Sequence, residues 1–335
     1  MLDFLDLYTT DPAWNLAAEQ YVFDELPRDR AYAMLWQNEN AVIIGRHQNT
    51  RAEINEAYVQ AHGVQVVRRL SGGGAVYHDL GNLNYTFITD AGDSRELDFA
   101  RFCGAVVRTL ARFGITAEMN GRNDITIGGA KFSGNAQYVK EGRVMHHGTI
   151  LFEADAEKVE QVLRVDPSKI AGKGVRSVRS RITTVKGHLT QPVTLPEFRA
   201  ALKEQILREN PGREITLCPE AEEVIFRLAA RYRDPDWNWG QSPAGSLQRR
   251  RRFPGCGLIE AHIETEHDRI RAIRFTGDFF SFTEPDALVS RLAGCRLLRG
   301  DLEEALKEIR VSEYFHGLER EDLIRLLAGE EEDMP

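Results

Sequence analysis

From Asp11-Pro12 onward, apolar residues at Leu16, Ala17, Tyr21 and Val22 recur at helical spacing among polar ones, and the Asp-Pro pair is a helix start signal. The pattern predicts a helix over 16–23. Short apolar runs at Ala33-Met34-Leu35-Trp36 and Ala41-Val42-Ile43-Ile44-Gly45 predict two strands joined by a polar turn. A further helix is expected over 53–62 and a strand over 64–67. Residues 75–77 and 83–88 read as paired strands around a turn at 78–82. Residues 99–113 are amphipathic, with Gly114 placed to cap the helix end. Strands over 124–127, 131–139 and 144–151 follow, then helices over 158–163, 196–209 and 219–231. Strands and helices without regular βαβ alternation predict an α+β fold, or α/β with a mixed, largely antiparallel sheet.

Gly, Ser and Pro cluster over 239–245, between a helix and a new strand pattern, and mark a boundary. We expect a larger domain over 1–243 and a small α+β domain over 248–330. The second holds a hairpin (258–263 with 270–275) and helices over 286–293, 302–309 and 320–327. The acidic run Glu330-Glu331-Glu332-Asp333 reads as a disordered tail.

With 335 residues, 42% hydrophobic and 28% charged, the chain has ample material for a core. A net charge of −8 argues against a nucleic-acid binder. The basic run Arg249-Arg250-Arg251-Arg252 therefore reads as a solvated strand edge or linker. No apolar run approaches the ~20 residues of a membrane span, so no membrane association is expected. The first residues, with acids at Asp3 and Asp6, lack the basic region of a signal peptide. Four cysteines without CxxC spacing speak against zinc or thioredoxin-like chemistry and suit a reducing cytoplasm.

Four segments stand out as chemistry. Arg68-Arg69-Leu70-Ser71-Gly72-Gly73-Gly74-Ala75-Val76-Tyr77-His78-Asp79 places three glycines between strands, a costly arrangement unless a backbone must approach a ligand or form an anion nest. The flanking arginines and Ser71 add phosphate- or carboxylate-binding groups. Neither a Walker motif nor a dinucleotide-binding GxGxxG is present. Asn123-Asp124 opens a strand that leads to Gly128-Gly129-Ala130-Lys131, where small residues let a lysine reach a ligand. His146 and His147 point to opposite faces of one strand, so that one of them can line a pocket. A cationic segment, Lys173-Gly174-Val175-Arg176-Ser177-Val178-Arg179-Ser180-Arg181-Ile182-Thr183, suits an anionic intermediate or an acidic partner.

Together with Thr10-Asp11-Pro12, Val42-Ile43-Ile44-Gly45-Arg46-His47-Gln48-Asn49 and Trp237-Asn238-Trp239-Gly240-Gln241, these segments resemble the lipoate–protein ligase family. The resemblance is dense over 1–245 and weaker beyond. It implies a biotin/lipoate ligase catalytic fold, related in shape to class II aminoacyl-tRNA synthetases, with an accessory C-terminal domain that moves between steps. It implies ATP and Mg²⁺ as cofactors and lipoate as substrate, with lipoyl-adenylate formed first. The acceptors would be the lipoyl domains of 2-oxoacid dehydrogenase E2 subunits and the glycine cleavage H protein. Residue by residue, Lys131 corresponds to the catalytic lysine that touches both lipoate and ATP. Arg69, Gly74, Ala75, Val76 and Tyr77 correspond to ATP contacts, with Asn123 and Asp124 beside the phosphates and Asp124 as metal ligand. Trp36, Arg69, Gly74, His78 and His147 are expected at lipoate, with Val42 and Ile44 in the pocket wall. Two other readings remain at this stage: an ATP-independent octanoyl or lipoyl transferase, which needs an activated cysteine, and a non-catalytic lipoate-binding protein.

Overall fold

The computed structural model describes residues 1–90, 97–120, 123–164, 182–240, 247–266 and 269–330. After β1 (Leu2–Asp6) comes α1 (Pro12–Asp24), capped by the Asp11 carboxylate, which accepts from the N–H groups of Ala13 and Trp14. Pro12 sits in the first turn, where its missing N–H costs nothing. Strands β2 (Ala31–Trp36) and β3 (Ala41–Ile44) follow. The helix expected over 53–62 is two short pieces, α2 (Thr50–Glu53) and α3 (Glu56–Ala61), because Asn55 caps the second by accepting from the Tyr58 N–H. Then come β4 (Gln65–Arg68), β5 (Val76–His78), β6 (Asn82–Asp90) and α4 (Phe99–Arg112); Gly114 follows α4 in a left-handed conformation, φ 77°. The strands β7 (Glu118–Asn120), β8 (Asp124–Ile127), β9 (Ala130–Lys140) and β10 (Arg143–Leu151) lead to α5 (Ala156–Val162). A capping box of Thr194 and Glu197 starts α6 (Leu195–Glu209), followed by β11 (Gly212–Glu214), α7 (Pro219–Arg233) and α8 (Pro235–Trp239).

Eight strands form one mixed sheet in the order β11-β1-β2-β6-β10-β9-β8-β7. Strand β1 runs parallel to both neighbours and the other pairs are antiparallel. The pairing expected between residues 75–77 and 83–88 does not occur. Both edges of β6 are taken, by β2 and β10, while β5 pairs with β3 in a separate three-stranded sheet. The turn between them is held by Asp79, whose carboxylate accepts from Gly81 N and whose carbonyl accepts from Asn82 N, and it carries the chain from one sheet to the other.

Alternation along β6 sends Leu83, Tyr85 and Phe87 to one face, where α4 and α6 cover them with Phe102, Val106, Leu110, Phe198 and Leu202. Asn82, Asn84 and Thr86 therefore point to the other face, all buried. That polar face lies toward α1 and the small sheet, and it is the floor of the site.

Beyond residue 246, β12 (Leu247–Phe253), β13 (Gly257–Glu266) and β14 (Arg269–Gly277) make an antiparallel sheet. With α9 (Asp286–Leu292), α10 (Arg299–Leu306), α11 (Val311–Tyr314) and α12 (Arg320–Ala328) it encloses its own apolar core, including Ile259, Phe275, Leu302, Phe315 and Leu327. The arginine run lies in edge strand β12, as expected of an edge, but its guanidinium groups are not simply solvated. Arg249 donates to the Leu327 carbonyl and Arg251 to that of Glu330, while Arg250 pairs with Glu260 at 2.9 Å and Arg252 with Asp278 at 3.2 Å. The run thus ties the edge strand to the end of α12. No helix among the described residues is long and apolar enough to cross a membrane.

Candidate active site

The two arginines of the glycine-rich segment are spent on the protein itself. Arg68 is wholly buried and donates to the carbonyls of Gly45, Arg46, Gln48, Trp237 and Asn238 and to the Thr50 hydroxyl. Arg69 donates to the carbonyls of Ile43, Gly72 and Gly74 and to Ser71 Oγ. Burial lowers their pKa to about 9 and about 10, so both remain cationic at neutral pH. Each guanidinium fork fixes a loop: Arg68 the turn after β3, Arg69 the glycine run.

The glycines answer to packing as well as to ligand approach. A Cβ on Gly72 would lie 2.2 Å from the Phe279 carbonyl oxygen, and one on Gly45 would lie 1.9 Å from that of Gly73. Gly73 adopts φ 89° and abuts the Phe280 ring. C-terminal residues thus seat directly on the glycine run. The same junction carries the His47 ring stacked on Phe279 at 4.6 Å, a His47 Nε2–Ser281 Oγ contact of 2.8 Å and an Arg46–Glu284 ion pair at 2.7 Å.

Gly73, Gly74, Ala75 and Val76 form one wall of a cavity of about 340 Å³. Lys131, Asn123 and Asp124 line it too, as do Arg69, Trp36, His78 and His147. The glycine run and Lys131 therefore share one cavity. Tyr77 does not line it: strand alternation turns the ring into the cluster with Val42 and Ile44, and its hydroxyl donates to Asn40. The same parity turns Val42 and Ile44 away from the cavity and Ile43 toward it. Residues 165–181, which hold most of the cationic segment, lie outside the described residues; Thr183, just beyond, donates its N–H to the Lys131 carbonyl at 2.8 Å.

Lys131 stands at the start of β9, after a turn in which Gly128 and Gly129 both take positive φ, 57° and 81°. Its ammonium lies 2.7 Å from Asp124 Oδ1 on β8. It passes over Gly134, where a Cβ would come within 2.7 Å of Nζ. Both side chains of the pair are 37% exposed, so the charge is fixed in position and still open to solvent and ligand.

Deeper in, a hydrogen-bond chain runs under the cavity. The Trp36 indole donates to Thr86 Oγ1 (2.9 Å), and Thr86 donates to Glu19 Oε1 (2.5 Å). Glu19 accepts from His147 Nδ1 (3.1 Å), whose Nε2 takes the Ser71 hydroxyl (2.6 Å). Sequence patterns alone do not place Glu19, Asn84, Thr149, Asn135, Arg252 or Asp278 at the site, and all but Glu19 line the cavity. His146, on the opposite face, stacks on Phe102 at 4.9 Å and is part of the core.

Nothing here resembles a thiol nucleophile. Cys103 is buried behind the sheet, and burial pushes its thiol up to about 11. Among the described residues no group of three or more His, Cys, Asp or Glu side chains is placed to hold a metal. A lone carboxylate such as Asp124 does suit Mg²⁺ when substrate phosphates supply the remaining ligands.

Residues 11–207 match the family model for the lipoyl protein ligase A/B catalytic domain, and residues 242–327 that for the bacterial lipoate protein ligase C-terminus. The chain is 38% identical to lipoate–protein ligase 1 of Staphylococcus aureus (strain Mu50) over 320 residues, covering 95% of this chain and 97% of that one. Among solved structures, it resembles a lipoate-protein ligase A bound with ATP (TM-score 0.62, 26% identity, 72% of this chain and 100% of that one). It also resembles a bipartite lipoate protein ligase of Thermoplasma acidophilum, described with its E2 lipoyl domain (TM-score 0.64, 28% identity, 73% and 98%). With its catalytic-domain profile, its end-to-end relative and its glycine-walled cavity in agreement, the chain belongs to the lipoate–protein ligase family.

Proposed function

We propose that the protein joins lipoate to a lysine of lipoyl-domain proteins in two steps: lipoyl-adenylate is formed with ATP, and the acyl group then passes to the acceptor amine. The observation that carries this reading is the Lys131 ammonium, held by Asp124 over a bare Gly134 at one side of a cavity whose other walls include Leu16, Trp36 and Ile43. In the first step a lipoate oxygen attacks the α-phosphorus and pyrophosphate leaves. Two anions must meet, and a fixed cation beside them offsets their repulsion most as charge builds in the transition state. Lys131 is that cation, touching the carboxylate and the α-phosphate and afterwards the mixed-anhydride carbonyl. The Gly74-Ala75-Val76 wall and Asn123 receive the nucleotide. Arg69 acts by holding the Gly72 and Gly74 carbonyls, which keeps the loop open to the phosphates. Asp124 would hold Mg²⁺ together with phosphate oxygens, and the ion would neutralise charge on the leaving pyrophosphate.

In the second step the acceptor amine attacks the acyl carbonyl, an amide forms and AMP leaves with the electron pair. Docking of the acceptor desolvates its lysine and favours the neutral amine. The aliphatic arm gains ~0.8 kcal/mol per buried CH₂ from the apolar walls. E2 lipoyl domains and the glycine cleavage H protein are the acceptors that fit this reading, and cytoplasm, where thiols stay reduced, is its compartment. Residues 1–243 act as the catalytic unit and 248–330 as the accessory one. The buried, high-pKa Cys103 speaks against an acyl-thioester transferase. Lipoate-dependent ATP–pyrophosphate exchange is the test: exchange without any acceptor supports adenylation, and acyl transfer between carrier proteins without ATP overturns it.

A further inference from the structure

Strand register places Asn135 on β9 beside Gly148 on β10, and Gly148 beside Tyr85 on β6. Residues paired in this way share a face of the sheet, here the core side, and Gly148 has no side chain, so the Tyr85 ring reaches across it. The Tyr85 hydroxyl donates to Asn135 Oδ1 at 2.5 Å. That bond fills the space over Gly148, where a Cβ would lie 2.1 Å from Asn135 Oδ1 and 2.6 Å from the Tyr85 ring. Its direction is set at both ends. Asn135 Nδ2 donates to the Asn123 carbonyl (3.1 Å) and to Ser133 Oγ (3.4 Å), which turns Oδ1 toward the phenol. Burial raises the Tyr85 pKa well above the ordinary 10, so the phenol keeps its proton.

The phenol is anchored from behind. Gln137 Nε2 donates to the Asp98 carbonyl at the cap of α4 (2.8 Å) and to His146 Nδ1 (3.0 Å), so the His146 proton sits on Nε2, toward Cys103 Sγ at 3.9 Å. Cys103 Sγ lies 3.5 Å from the Tyr85 hydroxyl, whose own proton goes to Asn135, so the thiol gives its proton to the phenol oxygen. On the other side Asn135 holds the residue that leads into β8. Its N–H donates to the Asn123 carbonyl (2.9 Å), and its carbonyl accepts from Asn123 Nδ2 (2.5 Å). The next residue is Asp124, which alternation turns to the cavity side and which holds the Lys131 ammonium at 2.7 Å.

We propose that Tyr85 is a positioning residue for adenylation: through Asn135 it fixes Asn123 and the start of β8, and with them the Asp124–Lys131 pair. This rests on the ligase reading above and extends it to a residue that does not line the cavity. Without the hydroxyl, Asn135 Oδ1 is a buried acceptor with no donor. Its carboxamide is then free to turn, and the Asn123 carbonyl loses the side-chain donor that holds it. A misplacement of about 1 Å in a group that must meet its substrate costs up to ~100-fold in rate.

Tyr85→Phe keeps the ring and removes the hydroxyl. In the full chain it should lower kcat for lipoate-dependent ATP–pyrophosphate exchange about tenfold or more, with KM for lipoate and ATP within about twofold of the unmodified values. A double-mutant cycle with Lys131→Ala separates positioning from a general loss of structure: once the ammonium is gone, removing the hydroxyl should cost less than about twofold. An equal loss in both backgrounds overturns the assignment, and so does an unchanged kcat in Tyr85→Phe. Asn135→Ser removes the same link from β9 and should give the same cycle, which decides the question if Tyr85→Phe does not fold. Absence of exchange in the unmodified chain instead removes the ligase reading on which the assignment stands.

Discussion

The Lys131 ammonium sits 2.7 Å from Asp124 Oδ1, and strand pairing places Gly134 opposite Asp124 beneath it. A carboxylate on the neighbouring strand aims the lysine, and the missing side chain at Gly134 gives it a path. Because Lys131 is 37% exposed, its loss should leave folding intact. Lys131→Ala is expected to reduce lipoate-dependent ATP–pyrophosphate exchange by about 100-fold or more, with an unchanged denaturation midpoint. Exchange near the unmodified level would remove Lys131 from its assigned role.

Arg68 calls for the opposite outcome. It lies outside the cavity lining and bonds five backbone carbonyls and Thr50. Arg68→Leu deprives those buried acceptors of their donor, and urea denaturation should register a loss of about 3–5 kcal/mol. Arg68→Lys cannot restore a planar fork and should recover only part of it. A loss under about 1 kcal/mol would show that water replaces the guanidinium at little cost.

At Gly72 even one methyl group meets the backbone of Phe279, 2.2 Å away. Gly72→Ala is therefore expected to push the C-terminal residues off the glycine run. Limited proteolysis should release the C-terminal part faster than in the unmodified chain. Gly300→Ala is the control: its backbone, like that of Gly72, is outside the left-handed region, but nothing lies within 4 Å of its Cβ.

Stability should fall in mild acid. Burial, with the cations Arg46 and Arg68 near His47 and Arg69 near His78, lowers both histidines to about 3. In the unfolded chain they titrate near 6.5, so between about pH 6.5 and pH 3 the unfolded state binds more protons. Their contribution is complete above pH 6.5 and declines as pH falls toward 3. At pH 5 each should cost about 2 kcal/mol relative to pH 7, read from urea midpoints at the two values. His47→Gln should flatten that dependence by its own share; an identical slope in the variant would show that His47 protonates as freely folded as unfolded.

Much of this molecule was local and therefore readable along the chain. Helix α1 starts where Asp11-Pro12 demands it, and the amphipathic stretch over 99–113 buries the face its spacing predicts. The glycine run, Asp124 and Lys131 were recognisable because glycine triplets and a lysine beside small residues are costly or unusual in any setting. Parity along β3 was also readable: Ile43 must face away from Val42 and Ile44. Which of those faces meets the cavity was not, since both are apolar and buried, and only the sheet packed against each side decides it. The same holds for Arg68 and Arg69, identical in type and adjacent, whose partners come from segments as distant as Trp237 and Asn238. Asn84 looks like any polar strand residue until β2 and β10 close on either side and bury it with one donor unmet. Short-range sterics and hydrogen bonding act within a few residues and leave their mark on composition. Burial, orphaned donors and cavity walls arise only when segments far apart in sequence compete for the same space.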